Sequence, residues 1–334
     1  MITQLLAARQ RPIWQRELAR AVRSLQELLT LIELNDHPEI ASETTRKQFP
    51  LRVPHSYIAR MQKGDPNDPL FRQVFPLIAE DQISPNFSLD PVGDLAAVRS
   101  SGVIQKYTGR VLLVITGACA IHCRYCFRRH FPYVDHNPTK DHWEQTLSYI
   151  AQNPSIREVI LSGGDPLTLT DNRLASLAQA LACIPHLKRL RIHTRLPIVL
   201  PERIDIHLLQ WLKDTPLQKV VVIHTNHANE LDNTVEVALN ALTQAGCKLF
   251  NQAVLLRGIN DNIDTLCDLS ERLFDLGVIP YYLHVLDKVQ GAAHFEVDIA
   301  TARNLYQALR TRLPGYLVPL LVQEQAGALS KLPV

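Results

Sequence analysis

The chain has 334 residues, of which 46% are hydrophobic and 20% are charged, as is ordinary for a folded protein with one large domain or a large domain plus a smaller lobe. Its 35 basic and 33 acidic residues leave a formal net charge of +2, which gives no reason to expect a nucleic-acid or anionic-membrane partner. No stretch approaches the roughly 20 continuous apolar residues that span a bilayer.

The N-terminal segment, residues 1–11, has only a short apolar stretch. We interpret it as an amphipathic first helix rather than a signal or transit peptide. Three of the six cysteines lie close together and three are scattered, unlike the disulfide framework of a small secreted domain. These features predict a reducing, cytoplasmic location.

Residues 1–105 are predicted to form a region of helices and loops. Apolar residues recur at helical spacing between positions 14 and 34, which predicts a helix there. Turn-rich stretches such as Asp65-Pro-Asn-Asp-Pro69 follow. No catalytic motif is evident, and we expect this region to form a helical cap on the rest of the chain.

Short apolar, β-branched runs alternate with amphipathic stretches in residues 106–312. The runs cover 111–116, 159–162, 189–193, 220–224, 249–256 and 279–285, and the helical patterns cover 141–152, 171–184, 203–213, 230–245, 262–276 and 298–312. Buried strands that are each followed by a helix predict a parallel sheet with right-handed crossovers. The regular spacing of six such units favours an α/β partial barrel over an open doubly wound sheet.

Polar and chemically capable residues follow each predicted strand. The three clustered cysteines follow the first strand and a Gly-Gly-Asp run follows the second, while His193-Thr194-Arg195 ends the third. Because ligands bind at the C-terminal ends of the strands in a parallel βα array, this rim is predicted to form the functional site.

The cysteines lie in the run Cys119-Ala-Ile-His-Cys123-Arg-Tyr-Cys126. Three thiolates in eight residues can hold a four-iron cluster and leave one iron open for a ligand. Zinc is an alternative, with His122 or His130 as the fourth ligand, although structural zinc sites usually use two separated cysteine pairs. Unliganded core cysteines are the third interpretation.

This cysteine spacing resembles the signature of radical S-adenosylmethionine (SAM) enzymes, whose open iron binds SAM. The run Ser162-Gly163-Gly164-Asp165 resembles the glycine motif of that superfamily, in which the backbone meets the amino group of SAM. The resemblance implies a partial (β/α)6 barrel with a [4Fe-4S] cluster and SAM as cofactors. It also places His224 and Gln252 near SAM.

A narrower resemblance, to lysine 2,3-aminomutase, covers residue 65 to the C-terminus. It rests on separated blocks in one order, among them Cys126-Phe-Arg-Arg129, Leu161-Ser-Gly-Gly-Asp165 and Asn251-Gln-Ala-Val-Leu-Leu-Arg-Gly258. That family uses pyridoxal phosphate as a second cofactor, held by a lysine near the C-terminus. The resemblance places this lysine at Lys331, in a C-terminal segment over residues 313–334, with Lys106 and Arg110 as ligands of the cofactor phosphate.

The same resemblance assigns the substrate contacts. Arg128 matches the arginine that clamps the substrate carboxylate, and Asp287 matches an acidic residue that holds the ε-ammonium of lysine. Glu324 stands where the family has an aspartate, so the charge is kept while the reach is longer by one methylene. Two carboxylates around one ammonium favour a cationic substrate and disfavour a glutamate-type aminomutase.

The resemblance therefore implies an isomerase that moves the amino group of L-lysine from carbon 2 to carbon 3 and takes electrons from a flavodoxin or ferredoxin. The chain ends soon after Lys331, a compact form similar to the bacterial members that make (R)-β-lysine for elongation factor P and its lysylating enzyme. A catabolic or osmolyte-producing aminomutase, a radical SAM enzyme of another reaction type and a non-catalytic zinc protein are the alternatives.

Overall fold

The computed structural model describes residues 11–34, 40–136 and 143–334. Except for Arg11, the helix expected over residues 1–11 lies outside the described residues, as do the first two residues of the helix expected over 141–152. Five short helices occupy the described N-terminal region: Ile13–Ala19 (α1), Leu25–Leu31 (α2), Glu43–Gln48 (α3), His55–Ile58 (α4) and Pro69–Arg72 (α5).

The prediction of one helix over residues 14–34 is wrong, because α1 and α2 are separate helices. Between them, Val22 forms an antiparallel bridge with Val53, with N···O distances of 2.8 and 2.9 Å. Ser24 then accepts a hydrogen bond from the backbone N–H of Glu27 at 3.4 Å and caps α2. A serine at this position satisfies a free N–H of the helix start, which favours a new helix over continuation of the old one.

One ten-stranded sheet forms the centre of the molecule, and its spatial order follows the chain order. Its strands are Val98–Ser100 (β1), Val103–Ile104 (β2), Arg110–Thr116 (β3), Glu158–Gly163 (β4), Arg189–Thr194 (β5), Gln218–Ile223 (β6), Cys247–Val254 (β7), Ile279–His284 (β8), Leu320–Gln323 (β9) and Leu332–Pro333 (β10). Neighbours from β3 to β9 are parallel, whereas β1–β2, β2–β3 and β9–β10 are antiparallel. The two edge strands do not pair with each other, so the sheet forms an open barrel.

Helices follow the parallel strands as expected for βα units. The helices after residue 130 are Tyr133–His136 (α6), Trp143–Ala151 (α7), Asp171–Ala182 (α8), Leu196–Val199 (α9), Ile206–Asp214 (α10), Asn233–Gln244 (α11), Ile263–Asp275 (α12) and Ile299–Arg312 (α13). Six βα units, from β3 to α13, confirm the predicted α/β partial barrel. None of the helices in the described part of the chain is long and apolar enough to cross a membrane.

Short strands extend the sheet at both ends of the predicted barrel, and the sequence did not predict them. The pair β1–β2 lies in the region expected to hold only helices and loops, and β2 pairs with β3 across position 105. At the other end, β9 continues the parallel ladder beyond residue 312 and pairs with β10. The domain division at residues 105 and 312 stays a prediction.

Burial and capping explain the regularity of the βα units. All six residues of β4 are buried, as expected for a strand covered on both faces. Polar side chains accept hydrogen bonds from the first turns of the following helices, as Asp232 does at α11 and Asn262 at α12. These short, capped connections hold the C-terminal ends of the parallel strands at one rim.

The N-terminal helices pack against this same rim. Ser56 donates a hydrogen bond to the carbonyl of Val199 at 2.7 Å, and Arg60 donates to the carbonyl of Ile198 at 2.5 Å. The backbone N–H of His122, within the cysteine loop, donates to the carbonyl of Arg52 at 3.0 Å. The expected helical cap thus lies over the strand ends and next to the cysteine loop.

Candidate active site

The loop after β3 carries the three clustered cysteines, all of them free and partly exposed. Arg124, which directly follows the second cysteine, does not line the cavity that the thiols line. Arg124 is fully buried, and its guanidinium forms an ion pair at 2.5 Å with Glu80 and lies over the ring of Phe49. This anchor fixes the loop from outside and leaves the thiols directed at the interior of the barrel.

Burial dominates the chemistry of these thiols. It raises the pKa of Cys126 to about 11, with the neighbouring Cys123 as a further cause, and it raises the pKa of Cys119 well above its ordinary value. Such thiols stay protonated at neutral pH unless a bound metal centre stabilises the thiolate. A cluster of free, partly exposed cysteines, two of which have raised pKa values, therefore fits a metal centre better than a nucleophile.

The geometry favours an iron–sulfur cluster over zinc. Within the described ranges, no three His, Cys, Asp or Glu side chains are close enough to bind a single metal ion. The two histidines considered as a fourth ligand each use one ring nitrogen within the protein, because His122 Nδ1 lies 2.7 Å from the carbonyl of Pro50 and His130 Nε2 lies 3.2 Å from that of Gln290, so each would have to bind a metal through its other ring nitrogen. A zinc ion needs all its donors within about 2.3 Å, whereas a [4Fe-4S] cluster distributes three thiolates over three irons.

A buried arginine from the end of β5 contacts the cysteine loop. Arg195 Nη1 lies 2.7 Å from Cys123 Sγ. Its Nη2 donates to Glu230 at 2.8 Å and to Gln73 at 2.7 Å, so the guanidinium is held from behind. A fixed cation next to one thiol adds positive charge to a site that would hold thiolates. Arg195 was predicted to lie at the rim, as part of the run that ends the third predicted strand, but without a specific role.

The glycine motif after β4 packs directly on the cysteine loop. A Cβ at Gly163, whose φ is +120°, would lie 2.3 Å from the carbonyl oxygen of Thr116, and one at Gly164 would lie 2.4 Å from that of Ala118. The N–H groups of Gly164 and Asp165 donate to these two carbonyls, each at 2.8 Å. Only glycine permits this approach, and the motif therefore joins the two loops of the rim.

The carboxylate of Asp165 is occupied within the protein. It accepts hydrogen bonds from Thr194 Oγ1 at 2.7 Å and from the backbone N–H groups of Leu167, Arg195 and Leu196. Burial raises its pKa to about 6, although these donors favour the charged form. Its side chain therefore connects the β4 and β5 loops.

Three histidines from neighbouring strand ends line the interior. Burial lowers the pKa of His224 to about 4 and lowers the pKa values of His193 and His284 well below the ordinary value, so all three are neutral. The buried Nε2 atoms of His193 and His284 have no hydrogen-bond partner among the described residues. Buried polar atoms are normally paired, which makes these two nitrogens candidates for ligand contacts. His224 was assigned to SAM from the resemblance and His193 was placed at the predicted rim, whereas no role was predicted for His284.

A chain of alternating charges occupies the other end of the site. Arg128 Nε lies 2.6 Å from Asp94 Oδ2, and Asp94 Oδ1 lies 2.6 Å from Lys106 Nζ. The same Lys106 ammonium lies 2.8 Å from Glu324 Oε1, and Glu324 Oε2 lies 2.7 Å from Lys331 Nζ. All of these residues except Asp94 were predicted from the sequence to lie in the site. Asp94 comes from a turn in the region where no motif was evident.

The carboxyl groups of this end differ in ionisation. Burial alone would raise the pKa of Glu324, but Lys331 and Lys106 overcome this and lower it to about 2. Burial and the charge of Glu324 raise the pKa of Asp287 to about 7. At neutral pH Glu324 is therefore firmly ionised, whereas Asp287 is a carboxyl group that a further cation would ionise.

All these groups line one cavity of about 470 Å³. Its walls include every residue that the sequence analysis assigned to the cluster, to SAM, to pyridoxal phosphate or to the substrate. The walls also include Asp94, His193, Arg195, Tyr282 and His284, which were not assigned. The rule that ligands bind at strand C-terminal ends indicated the histidines and Arg195, whereas no local signal indicated Asp94.

Comparisons with known proteins agree with this arrangement. Residues 113–269 match the radical SAM superfamily. L-lysine 2,3-aminomutase of Escherichia coli (strain K12) is 49% identical over 322 residues, which cover 96% of this chain and 94% of that protein. The chain belongs to the lysine 2,3-aminomutase family. The enzyme of the same name from Haemophilus influenzae is 45% identical, with 95% of this chain and 94% of that protein covered. The enzyme from Clostridium subterminale is 32% identical, with 96% of this chain and 77% of that protein covered.

Membership of the lysine 2,3-aminomutase family confirms that the chain is an isomerase. The radical SAM domain implies a [4Fe-4S] cluster and SAM. The residues fit both groups: three free thiols and the glycine turn line the same cavity. Cys119, Cys123 and Cys126 would hold the cluster. The individual site assignments stay predictions.

Proposed function

We propose that this protein converts L-α-lysine into β-lysine with the help of a [4Fe-4S] cluster, SAM and pyridoxal phosphate. The observation that carries the proposal is the single cavity in which a three-cysteine loop, a glycine turn and a lysine held by a glutamate face one another. A radical SAM centre alone does not require such a lysine, nor a pair of carboxylates beside it. The names of the relatives point to the same substrate.

Lys331 is the residue that would hold pyridoxal phosphate. Its side chain is mostly buried, and its Nζ lies 5.7 Å from the centre of the Tyr282 ring. Pyridoxal phosphate, when bound, supplies an imine to the migrating amino group. The unpaired Nε2 atoms of His193 and His284 offer polar contacts in the same space.

Arg110 is the better of the two phosphate ligands suggested by sequence. Its guanidinium lies over the ring of Tyr107 at 4.6 Å, and none of the carboxylates in the described ranges lies within 4.0 Å of it. Lys106, in contrast, is already paired with Asp94 and Glu324. We therefore propose Arg110 as the main contact of the phosphate and Lys106 as a residue that holds Asp94 and Glu324 in place.

The substrate would lie between two charged anchors. Arg128 offers a planar guanidinium, which suits a carboxylate. Asp287 and Glu324 offer two carboxylates to the ε-ammonium, and the raised pKa of Asp287 means that this site gains a full negative charge only when a cation arrives. The protein thereby selects an amino acid with a cationic side chain and excludes water around it.

The glycine turn and neighbouring side chains would position SAM next to the cluster. Ser162, Gly163 and Gly164 lie against the cysteine loop, and His224 and Gln252 lie across the cavity from it. Bound together, the cluster and SAM supply the radical that starts the rearrangement. The protein's own contribution is to keep the two anchors of the substrate at a fixed distance from that centre.

For the biological role, we propose that the product is (R)-β-lysine and that its destination is elongation factor P, through the lysylating enzyme of that factor, with a flavodoxin or ferredoxin as the electron donor. The support is the resemblance of this chain to the bacterial members of the family that make (R)-β-lysine for elongation factor P. Chiral chromatography of the product, followed by mass spectrometry of elongation factor P incubated with its lysylating enzyme, tests this step. A product of the opposite configuration, or an unmodified elongation factor P, would contradict it.

The reaction itself is tested by an anaerobic assay of the reconstituted protein with L-lysine, SAM, pyridoxal phosphate and a strong reductant. We expect β-lysine in the wild type, none in Cys123→Ala or Lys331→Ala, and SAM cleavage lost only in Cys123→Ala. Borohydride reduction and peptide mapping should attach the cofactor to Lys331. If Lys331→Ala keeps full activity, its assignment is wrong; if SAM is cleaved but lysine is unchanged, the substrate assignment is wrong.

A further inference from the structure

Asp94 is a buried carboxylate in the cavity to which the proposed function has so far given no task. Its backbone N–H and that of Leu95 donate to the carboxylate of Asp90, at 2.9 and 3.0 Å, which fixes the turn that carries it. The preceding Gly93 has a φ of +68°, and a Cβ there would lie 2.9 Å from the Cβ of Ala326. The turn therefore holds Asp94 between the barrel and the C-terminal segment.

The two oxygens of Asp94 have separate partners. Oδ1 lies 2.6 Å from Lys106 Nζ and Oδ2 lies 2.6 Å from Arg128 Nε, while the Asp94 side chain is only 2% exposed. Burial alone would raise the pKa of Asp94, but Arg128 and Lys106 outweigh it and hold the pKa below the ordinary value. One carboxylate thus compensates two cations that would otherwise repel each other in a buried space.

The contact with Asp94 also determines which edge of Arg128 faces the cavity. Nε is used by Asp94, and Nη1 donates to Ser162 Oγ at 3.2 Å. Nη2 donates to none of the described residues. Because a guanidinium is planar and rigid, holding its Nε and Nη1 fixes the direction in which its remaining N–H groups point.

We propose that Asp94 is a positioning residue for the carboxylate end of the substrate, acting by holding the guanidinium of Arg128. This inference rests on the proposed function, in which Arg128 binds the carboxylate of lysine. Without the charge of Asp94, Arg128 is free to turn and is repelled by Lys106, so the carboxylate loses a pre-oriented partner. Asp94 does not contact the carboxylates of the ammonium end, Asp287 and Glu324, directly, and it is linked to Glu324 only through Lys106.

The experiment compares two ligands that differ only at the carboxylate. L-lysine and 1,5-diaminopentane share a five-carbon chain and the terminal ammonium, but the diamine has no carboxylate. Binding to the anaerobically reconstituted protein is measured by calorimetry without reductant, for the wild type, Asp94→Asn and Asp94→Glu. In Asp94→Asn we expect the affinity for L-lysine to fall by about tenfold or more, as for a lost charged hydrogen bond, while the affinity for the diamine changes by less than about twofold. Asp94→Glu keeps the charge and should recover part of the lysine affinity.

A double substitution keeps the test valid if Asp94→Asn also lowers stability. In an Arg128→Gln background, adding Asp94→Asn should cause no further loss of lysine affinity, because the guanidinium that it orients is gone. A purely structural role would weaken both ligands in Asp94→Asn and would add a further loss in the double variant, which overturns the inference. If Arg128→Gln itself leaves the preference for lysine over the diamine intact, the proposed substrate contact has failed, and the inference with it.

Discussion

The two ends of the cavity are built in different ways. At the cluster end, two loops that each follow a strand are joined through their backbones, with the N–H groups of Gly164 and Asp165 donating to the carbonyls of Thr116 and Ala118 at 2.8 Å. At the charged end, side chains from distant parts of the sequence are joined by ion pairs at 2.6 to 2.8 Å, as in the contacts of Lys106 with Asp94 and Glu324.

This difference indicates what each end can tolerate. The cluster end has no space between the two loop backbones at the glycine turn, so it should be sensitive to any atom added there. The charged end depends on a balance between carboxylates and cations, so it should be sensitive to a charge and more tolerant of a small change in shape. Substitutions that add one carbon atom or remove one charge can therefore distinguish the two ends.

The largest effect is expected from Gly164→Ala at the cluster end. The added Cβ would lie 2.4 Å from the carbonyl oxygen of Ala118, which is backbone and cannot rotate away. Overpacking of this kind costs about 1–3 kcal/mol even where side chains can adjust. We expect loss of bound iron after reconstitution and loss of SAM cleavage, measured by iron analysis and by release of methionine.

Gly315→Ala is the matched control, because a Cβ there would meet nothing within 4 Å. It should keep the iron content and SAM cleavage of the wild type. Normal SAM cleavage in Gly164→Ala would show that the contact between the two loops is dispensable, and the comparison between the two ends would lose its basis.

A smaller effect, on substrate binding rather than on the cluster, is expected at Glu324. Its two oxygens lie 2.8 Å from Lys106 Nζ and 2.7 Å from Lys331 Nζ. Glu324→Gln keeps the shape but removes the charge, and a lost hydrogen bond to a charged group costs about 1.5–3 kcal/mol. We expect the KM for lysine to rise roughly 10- to 100-fold, with iron content and SAM binding unchanged.

The control at this position is Glu324→Asp, which keeps the charge and restores the residue that the resemblance predicts. Its shorter side chain should raise the KM for lysine by less than roughly tenfold, because the charge matters more than the reach. If Asp and Gln have equal effects, geometry rather than charge governs this end of the site.

The contrast between the ends also explains how much the sequence could predict. The six βα units follow from buried β-branched runs and capped helices, and the cysteine and glycine motifs lie within a few residues of those strands, so the cluster end was predictable from local patterns. Resemblance to a family was needed for Lys331, since a lysine so near a chain end otherwise indicates an exposed, frayed position.

Other features depended on contacts between distant parts of the chain. Asp94 gains its role from Lys106 and Arg128, which lie in other elements, and nothing in its own surroundings in the sequence distinguishes it from an ordinary turn residue. The break between α1 and α2 depends on the bridge from Val22 to Val53, which helical spacing cannot indicate. Charge networks and single bridges of this kind carry no periodic signal.

The pH dependence of lysine binding is expected to show the smallest effect, of about tenfold. Burial and Glu324 raise the pKa of Asp287 to about 7, while Lys331 and Lys106 oppose this rise and Asp94 adds to it. If only the ionised carboxyl binds the ammonium, the affinity should increase by about tenfold between pH 6 and pH 8 and then level off. The cation of Lys331 lowers the pKa of Asp287, so attachment of pyridoxal phosphate to Lys331 should shift this pH dependence to higher pH.

Asp287→Asn should bind lysine weakly and remove this dependence, because the neutral amide cannot ionise. The buried histidines do not produce the same curve, since burial lowers the pKa of His224 to about 4 and lowers the pKa values of His193 and His284 well below their ordinary value. Calorimetry in buffers of different ionisation enthalpy should detect release of about one proton per lysine bound at pH 6. A flat profile in the wild type would mean that Asp287 is already ionised without substrate, and the cluster end and the charged end would then both be fully formed before lysine arrives.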